Sequence, residues 1–275
     1  MNWLSRLIRY VVKFSAFTTF AVLFFIIAYI LARGIPYLKP SLFALEYTTE
    51  NVSLLPAIIT TLIMTVLALL ISAPIGIFTG FYLVEYAKSG NKLVEIIRIT
   101  TETLSGIPSI VYGLFGLLFF VTTLGWGFSI IAGAFTLAIM ILPLIIRSTE
   151  EALLAVPDLL REASYGLGAG KLRTIFRIVL PSAMPGILAG IILAIGRIVG
   201  ETAALIYTAG TVAKIPENLF ASGRTLAIHM YVLSSEGLYT NQAYATAVVL
   251  LIVVIGINAL STTISKKLTK GNIDG

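Results

Sequence analysis

The chain has 275 residues, of which 58% are hydrophobic and only 12% charged, with a formal net charge of +6. Soluble domains carry about 25% charged residues, so this composition excludes an ordinary water-soluble fold and points to lipid as the solvent. No cysteine is present, which excludes disulfides, thiolate metal sites and cysteine nucleophiles.

A helix needs about 20 apolar residues to cross a bilayer core. Six stretches satisfy this, so an all-α integral membrane protein with six transmembrane helices is expected. The first covers about 14–31, after Arg6, Arg9 and Lys13. It is longer than a signal-peptide core, and Leu31-Ala32-Arg33 is a poor cleavage site, so a retained helix is expected. The others cover about 54–86, 104–121, 128–146, 183–209 and 243–264. Pro74 and Pro108 are expected to kink the second and third. Residues 1–53 would form an N-terminal transmembrane helix with an external loop, and 54–268 a transmembrane core.

Orientation follows from lysine and arginine. With an even number of spans and the N-terminus inside, the cytoplasmic side receives Arg6, Arg9, Lys13, Lys88, Lys92, Arg98, Arg147, Arg161, Lys171, Arg173, Arg177, Lys266, Lys267 and Lys270. The other side receives only Arg33, Lys39, Lys214 and Arg224. Both termini are therefore expected in the cytoplasm of a multi-pass cell-membrane protein. The spread of the bases over four segments marks them as topology determinants and removes nucleic acid as a partner. Glu102 is read as an interfacial or ion-paired residue, and Arg147 as a side chain that snorkels from the end of the fourth span. His229, alone in an external segment over 210–242, is read as structural or solvated.

A cytoplasmic segment over 150–181 is far longer than an antiparallel helix pair needs. Asp158 can cap a short helix whose apolar side holds Leu159, Leu160 and Ala163. Gly166, Gly168 and Gly170 then break it, and a second amphipathic helix carries Leu172, Ile175, Phe176 and Val179 against Lys171, Arg173 and Arg177. Pro181 is expected to close that helix before the fifth span. Such a unit can be a lever gripped by a partner protein, or an interfacial pair lying in the headgroups.

The same segment resembles binding-protein-dependent ABC importers. Their cytoplasmic motif reads Glu-Ala-Ala, three residues, Gly, nine residues, Ile-x-Leu-Pro. Here Glu162, Ala163, Gly168, Ile178, Leu180 and Pro181 stand at the matching positions, with Ser164 in place of the second alanine. The resemblance implies a type I ABC importer permease (MetI-like) fold in which this loop docks into an ATPase subunit. Gly168-Ala169-Gly170-Lys171 is not a phosphate-binding loop, because Tyr165 and Leu172 occupy the positions where that motif needs glycine and serine or threonine. The chain is thus expected to be no enzyme and to have no catalytic residue, metal or cofactor of its own, with ATP and magnesium bound by a partner.

Arg197 and Glu201 stand within the fifth span. Each charge costs about 2.5–3.5 kcal/mol at the bilayer centre, so neither should face lipid. Four residues apart on one helix they can pair, with Gly196 and Gly200 beside them in a spacing that admits a close neighbour. A structural salt bridge and a translocation-path site for an anion both remain open, and arginine's planar fork suits an oxyanion. The segments Arg197-Ile198-Val199-Gly200-Glu201-Thr202-Ala203-Ala204 and Ser105-Gly106-Ile107-Pro108-Ser109-Ile110-Val111-Tyr112-Gly113 resemble permeases of the phosphate-specific (Pst) importer, nearest the PstA type. That resemblance implies inorganic phosphate as substrate, with molybdate, tungstate or sulfate as alternatives. It also implies a PstC-like second permease, two PstB-like ATP-binding subunits, an external PstS-like phosphate-binding protein, and membrane lipid as the surrounding phase. A secondary transporter would need internal inverted repeats or several intramembrane charges, which this sequence does not display.

Overall fold

Long uninterrupted runs of leucine, isoleucine, valine and phenylalanine satisfy their backbone groups in lipid by coiling into helices. The computed structural model describes residues 3–87 and 90–270, and every regular element within them is helical. Lys88, counted above among the cytoplasmic bases, lies outside the described residues. The helices are α1 Trp3–Gly34, α2 Leu55–Phe81, α3 Lys92–Ser105, α4 Ser109–Gly116, α5 Ile130–Leu154, α6 Asp158–Gly166, α7 Lys171–Thr174, α8 Leu180–Val199, α9 Ala203–Ile206, α10 Leu226–Glu236 and α11 Thr240–Lys270. Wider π-helical turns extend α2 through Tyr82–Tyr86 and α4 through Leu117–Thr123, and another, Ile175–Val179, joins α7 to α8.

Among the described residues, five helical segments are long and apolar enough to cross a membrane: those built on α1, α2, α5, α7–α8 and α11. The expected third span is different. Residues 92–105 and 109–123 meet at a bend of 103°, so the sixth crossing exists only as a broken pair. The cause is local. Pro108 lacks an N–H and drives Ile107 away from helical geometry, while Gly106 ends α3. The Tyr112 hydroxyl donates to the Leu104 carbonyl across the corner at 2.8 Å.

The centre of the fold is α5, flanked by α2 and α8. Met64 and Ala68 of α2, Leu137, Met140, Ile141 and Ile145 of α5, and Ala194 and Ile198 of α8 form one buried cluster. In lipid such a cluster is held by close packing rather than by escape from water. The close approach of α8 to α5 is made by Gly186 and Gly190, against Ala152 and Ser148, and not by Gly196 and Gly200. A Cβ on Gly196 would meet nothing within 4 Å, because that face of α8 is turned away from its neighbours. Outside this core the chain is openly apolar: Phe14, Phe17, Phe20 and Phe24 of α1 are each more than 70% exposed, as lipid-facing side chains should be.

Candidate functional site

Two regions carry the sequence motifs, one in the connection between α5 and α8 and one inside the core. In the first, Asp158 opens α6 without capping it; its carboxylate instead accepts from Arg161 Nη1 at 3.1 Å. The turn after α6 is a Schellman motif: the Gly168 amide donates to the Tyr165 carbonyl at 2.9 Å and the Ala169 amide to the Ser164 carbonyl at 3.1 Å. Only Gly168 takes a left-handed backbone here, at φ +80°; Gly166 and Gly170 do not. Ser164, which replaces the motif's second alanine, is buried, and its hydroxyl lies 2.8 Å from that of Thr174 in α7. Glu162, Ala163 and Gly168 stay exposed, as do Leu159 and Leu167, the latter at 90%.

The second helix does not stop at Pro181. It runs from Lys171 to Val199 without a break, with Ile178 in the π-helical turn and Leu180 and Pro181 in the first turn of α8. Proline is tolerated at the start of an α-helical segment, where its missing N–H costs least. The expected apolar side also divides: Ile175 and Val179 are buried, whereas Leu172 and Phe176 remain open and line an apolar cleft of about 440 Å³ with Phe78, Phe81 and Tyr82.

Sequence reasoning missed the fastening of this loop. Arg161 sends Nε and Nη2 to Glu85 Oε1 at 3.1 and 2.9 Å, Nη2 also to the Leu153 carbonyl, and Nη1 to the Val156 carbonyl. Both partners are largely buried, with side chains 13% and 6% exposed. One guanidinium thereby ties α6 to the end of α2 and satisfies carbonyls left over at the end of α5. The signal available in the sequence was Glu85 itself, a single acid at the end of a long apolar run. Nearby, Arg98 pairs with Glu150 at 2.6 Å and Arg147 with Glu151 at 2.9 Å, so Arg147 is ion-paired on its own helix; Glu102 is exposed beside Arg98.

In the second region the Arg197–Glu201 pair that the spacing allows is absent. Helix α8 ends at Val199 and Gly200 caps it, so the two residues no longer share a helical face. Glu201 is 9% exposed, and its Oε1 accepts from the Ala204 amide at 3.1 Å. Arg197 is partly buried, has no carboxylate within 4.0 Å and donates to no acceptor among the described residues. The two resembling segments also touch: a Cβ on Gly113 would come within 2.9 Å of the Ala204 Cα, so only glycine lets α4 lie this close to α9.

His229 is neither solvated nor surface-exposed. It is fully buried in α10, edge-on to Tyr47 with ring centroids 6.1 Å apart.

Residues 72–271 match the family described as binding-protein-dependent transport system inner membrane component. A probable ABC transporter permease protein of Bacillus subtilis, YqgI, is 40% identical over 223 residues, which are 74% of this chain and 76% of that one. The phosphate transport system permease protein PstA of Haemophilus influenzae is 34% identical over 237 residues, 83% of this chain and 82% of that one. Among solved structures, the MetNI methionine ABC transporter in an inward-facing form shares the fold, with a TM-score of 0.59 at 21% identity over 78% of this chain and 93% of that chain.

Proposed function

Because the chain belongs to the family of binding-protein-dependent transport system inner membrane components, we propose that it is the transmembrane permease subunit of an ABC importer for inorganic phosphate. Its own residues supply the path and the lever. A PstC-like permease completes the membrane unit, two PstB-like subunits bind and hydrolyse ATP with magnesium, and a PstS-like protein delivers the ion outside. Both termini lie in the cytoplasm, on the side where lysine and arginine accumulate.

The observation that carries this reading is Arg197. A guanidinium set in an apolar core and left without a protein counter-charge is suited to meet a transient anion, and its planar fork matches two oxygens of an oxyanion. Glu201, occupied by the Ala204 amide, does not compete for it in this conformation. The relatives named for phosphate transport support phosphate over molybdate, tungstate or sulfate. At the other end, Glu162, Ala163 and Gly168 stand exposed on a loop that Arg161 anchors to α2 and α5, so a push on α6 passes into the core. Ile178, Leu180 and Pro181 continue that connection into α8.

The test is uptake by vesicles holding the assembled complex. Phosphate uptake that requires ATP, the ATP-binding subunits and the external binding protein supports the proposal. ATP-driven uptake of molybdate, tungstate or sulfate in preference to phosphate would reassign the substrate, and uptake without ATP would remove the importer mechanism.

A further inference from the structure

The apolar cleft of about 440 Å³ beside α7 has no task in the importer reading. One wall is the end of α2 and its π-helical extension, with Ile77, Phe78 and Phe81; the other holds Phe176, Leu180 and Met184. Every side chain lining it is a hydrocarbon, a thioether or a phenol. Phe78 is 68% exposed and Phe176 57%, so the cleft is a groove on the outside of the chain and not a sealed cavity. Its walls belong to the membrane-crossing segments Leu55–Tyr86 and Lys171–Val199. What fills it comes from the membrane or from another protein, because water does not occupy so apolar a trough.

Length and charge together select the occupant. From Tyr86 to Ile77 the wall rises about 13 Å, close to half of a bilayer core about 30 Å thick. The groove therefore has the depth of one leaflet. Its Tyr86 end is polar: Lys171 Nζ lies 4.6 Å over the Tyr86 ring, and Tyr82 lines the groove on the same turn. Lysine and tyrosine are the side chains that anchor at the membrane–water boundary, apolar stem inward and polar tip outward. Lys171 has no carboxylate within 4.0 Å among the described residues. Glu85, the one acid in the Tyr82–Tyr86 turn, is already taken by Arg161. The mouth thus carries an uncompensated positive charge above a hydrocarbon trough, the complement of an anionic headgroup on an acyl chain. A helix of the second permease matches the trough less well. Met184 shares its face of α8 with Leu188 and Ile191 and not with Arg197, where the importer reading needs that partner.

We propose that this groove holds one anionic phospholipid, its acyl chain along Phe78, Phe81 and Phe176 and its phosphate on Lys171. This goes beyond the importer reading. It is tested by lipid binding with no transport step, so the failure of either leaves the other standing.

The experiment is native mass spectrometry of the full-length chain, released from detergent micelles that contain dioleoyl phosphatidylglycerol or dioleoyl phosphatidylcholine. Phosphatidylglycerol should be retained as a single copy, about fivefold more tightly than phosphatidylcholine. Lys171→Gln, a change at an exposed position that leaves the fold intact, should bring the two lipids within about twofold, and Lys171→Arg should keep the preference. Met184→Trp, which fills the deep end of the groove, should remove the retained copy of both lipids. Glycerol 3-phosphate and inorganic phosphate should displace neither lipid, which separates a lipid site from a bare anion site. Equal retention of the two lipids by the native chain, a preference that survives Lys171→Gln, or displacement by either soluble phosphate would overturn the proposal. The complex assembled with a second permease should retain the same lipid. Its loss there would give the groove to the partner subunit and would equally overturn the proposal.

Discussion

The hydroxyls of Ser164 and Thr174 meet at 2.8 Å inside the connection between α5 and α8, joining α6 to α7 across the glycine turn. Both residues are buried, at 4% and 0% exposure, so the motif position that carries Ser164 faces inward and its neighbours Glu162 and Ala163 make the exposed surface. The cysteine-free chain makes this directly measurable. A cysteine at Leu167 should react rapidly with an impermeant thiol reagent from the cytoplasmic side, one at Asn218 only from the opposite side, and one at Ser164 slowly from either. Labelling of the Leu167 and Asn218 positions from the same side would defeat the topology.

Gly168 turns left-handed at φ +80°, and a Cβ there would meet nothing within 4 Å. Any penalty of substitution is therefore conformational rather than steric. Gly168→Asn should retain most ligand-stimulated ATPase and uptake, because asparagine tolerates this backbone. Gly168→Val, strained by about 1–3 kcal/mol, should uncouple the two in the assembled complex. Equal behaviour of the two variants would dissociate the turn from coupling.

The Arg161–Glu85 pair is a buried fastening, and removing one partner strands the other. Glu85→Gln or Arg161→Gln should each destabilise the chain by about 3–5 kcal/mol, while the double variant loses less than the sum. Thermal unfolding of the four proteins in one detergent measures the coupling. Strict additivity would show that the pair transmits nothing.

For Arg197, uptake normalised to assembled complex separates packing from transport. On the proposed path, Arg197→Gln with Glu201→Gln should assemble yet lose phosphate uptake, since glutamine brings no positive charge. Arg197→Lys, charged but without the fork, should reduce uptake less than Arg197→Gln. Near-normal uptake by the double variant would take Arg197 off the path.

Burial, reinforced by Arg224, lowers the pKa of His229 from 6.5 to about 3. Between those values the unfolded chain binds a proton that the folded chain refuses, so stability falls as pH drops from 6.5 toward 3 and is unaffected by this group above that range. The slope contributed is at most about 1.4 kcal/mol per pH unit. In His229→Phe that part of the acid dependence should vanish from thermal-unfolding curves; an unchanged slope would show that the imidazole is not held neutral.

The sequence by itself determined what depends on local chemistry repeated over many residues: apolar helices long enough to cross a bilayer, and membership of the family through the spacing of the Glu162–Pro181 motif. Those properties add up along the chain and need no knowledge of neighbours. Tertiary structure decided which side chains face each other. It turned Gly186 and Gly190, rather than Gly196 and Gly200, toward α5. It made a corner of Pro108, and it carried α7 through Pro181 by a π-helical turn. By ending α8 at Val199 it separated Arg197 from Glu201, and it brought Glu85 to Arg161 across 76 residues. Periodicity places a residue on a face, but the partner of that face is fixed only when every helix in the bundle packs at once.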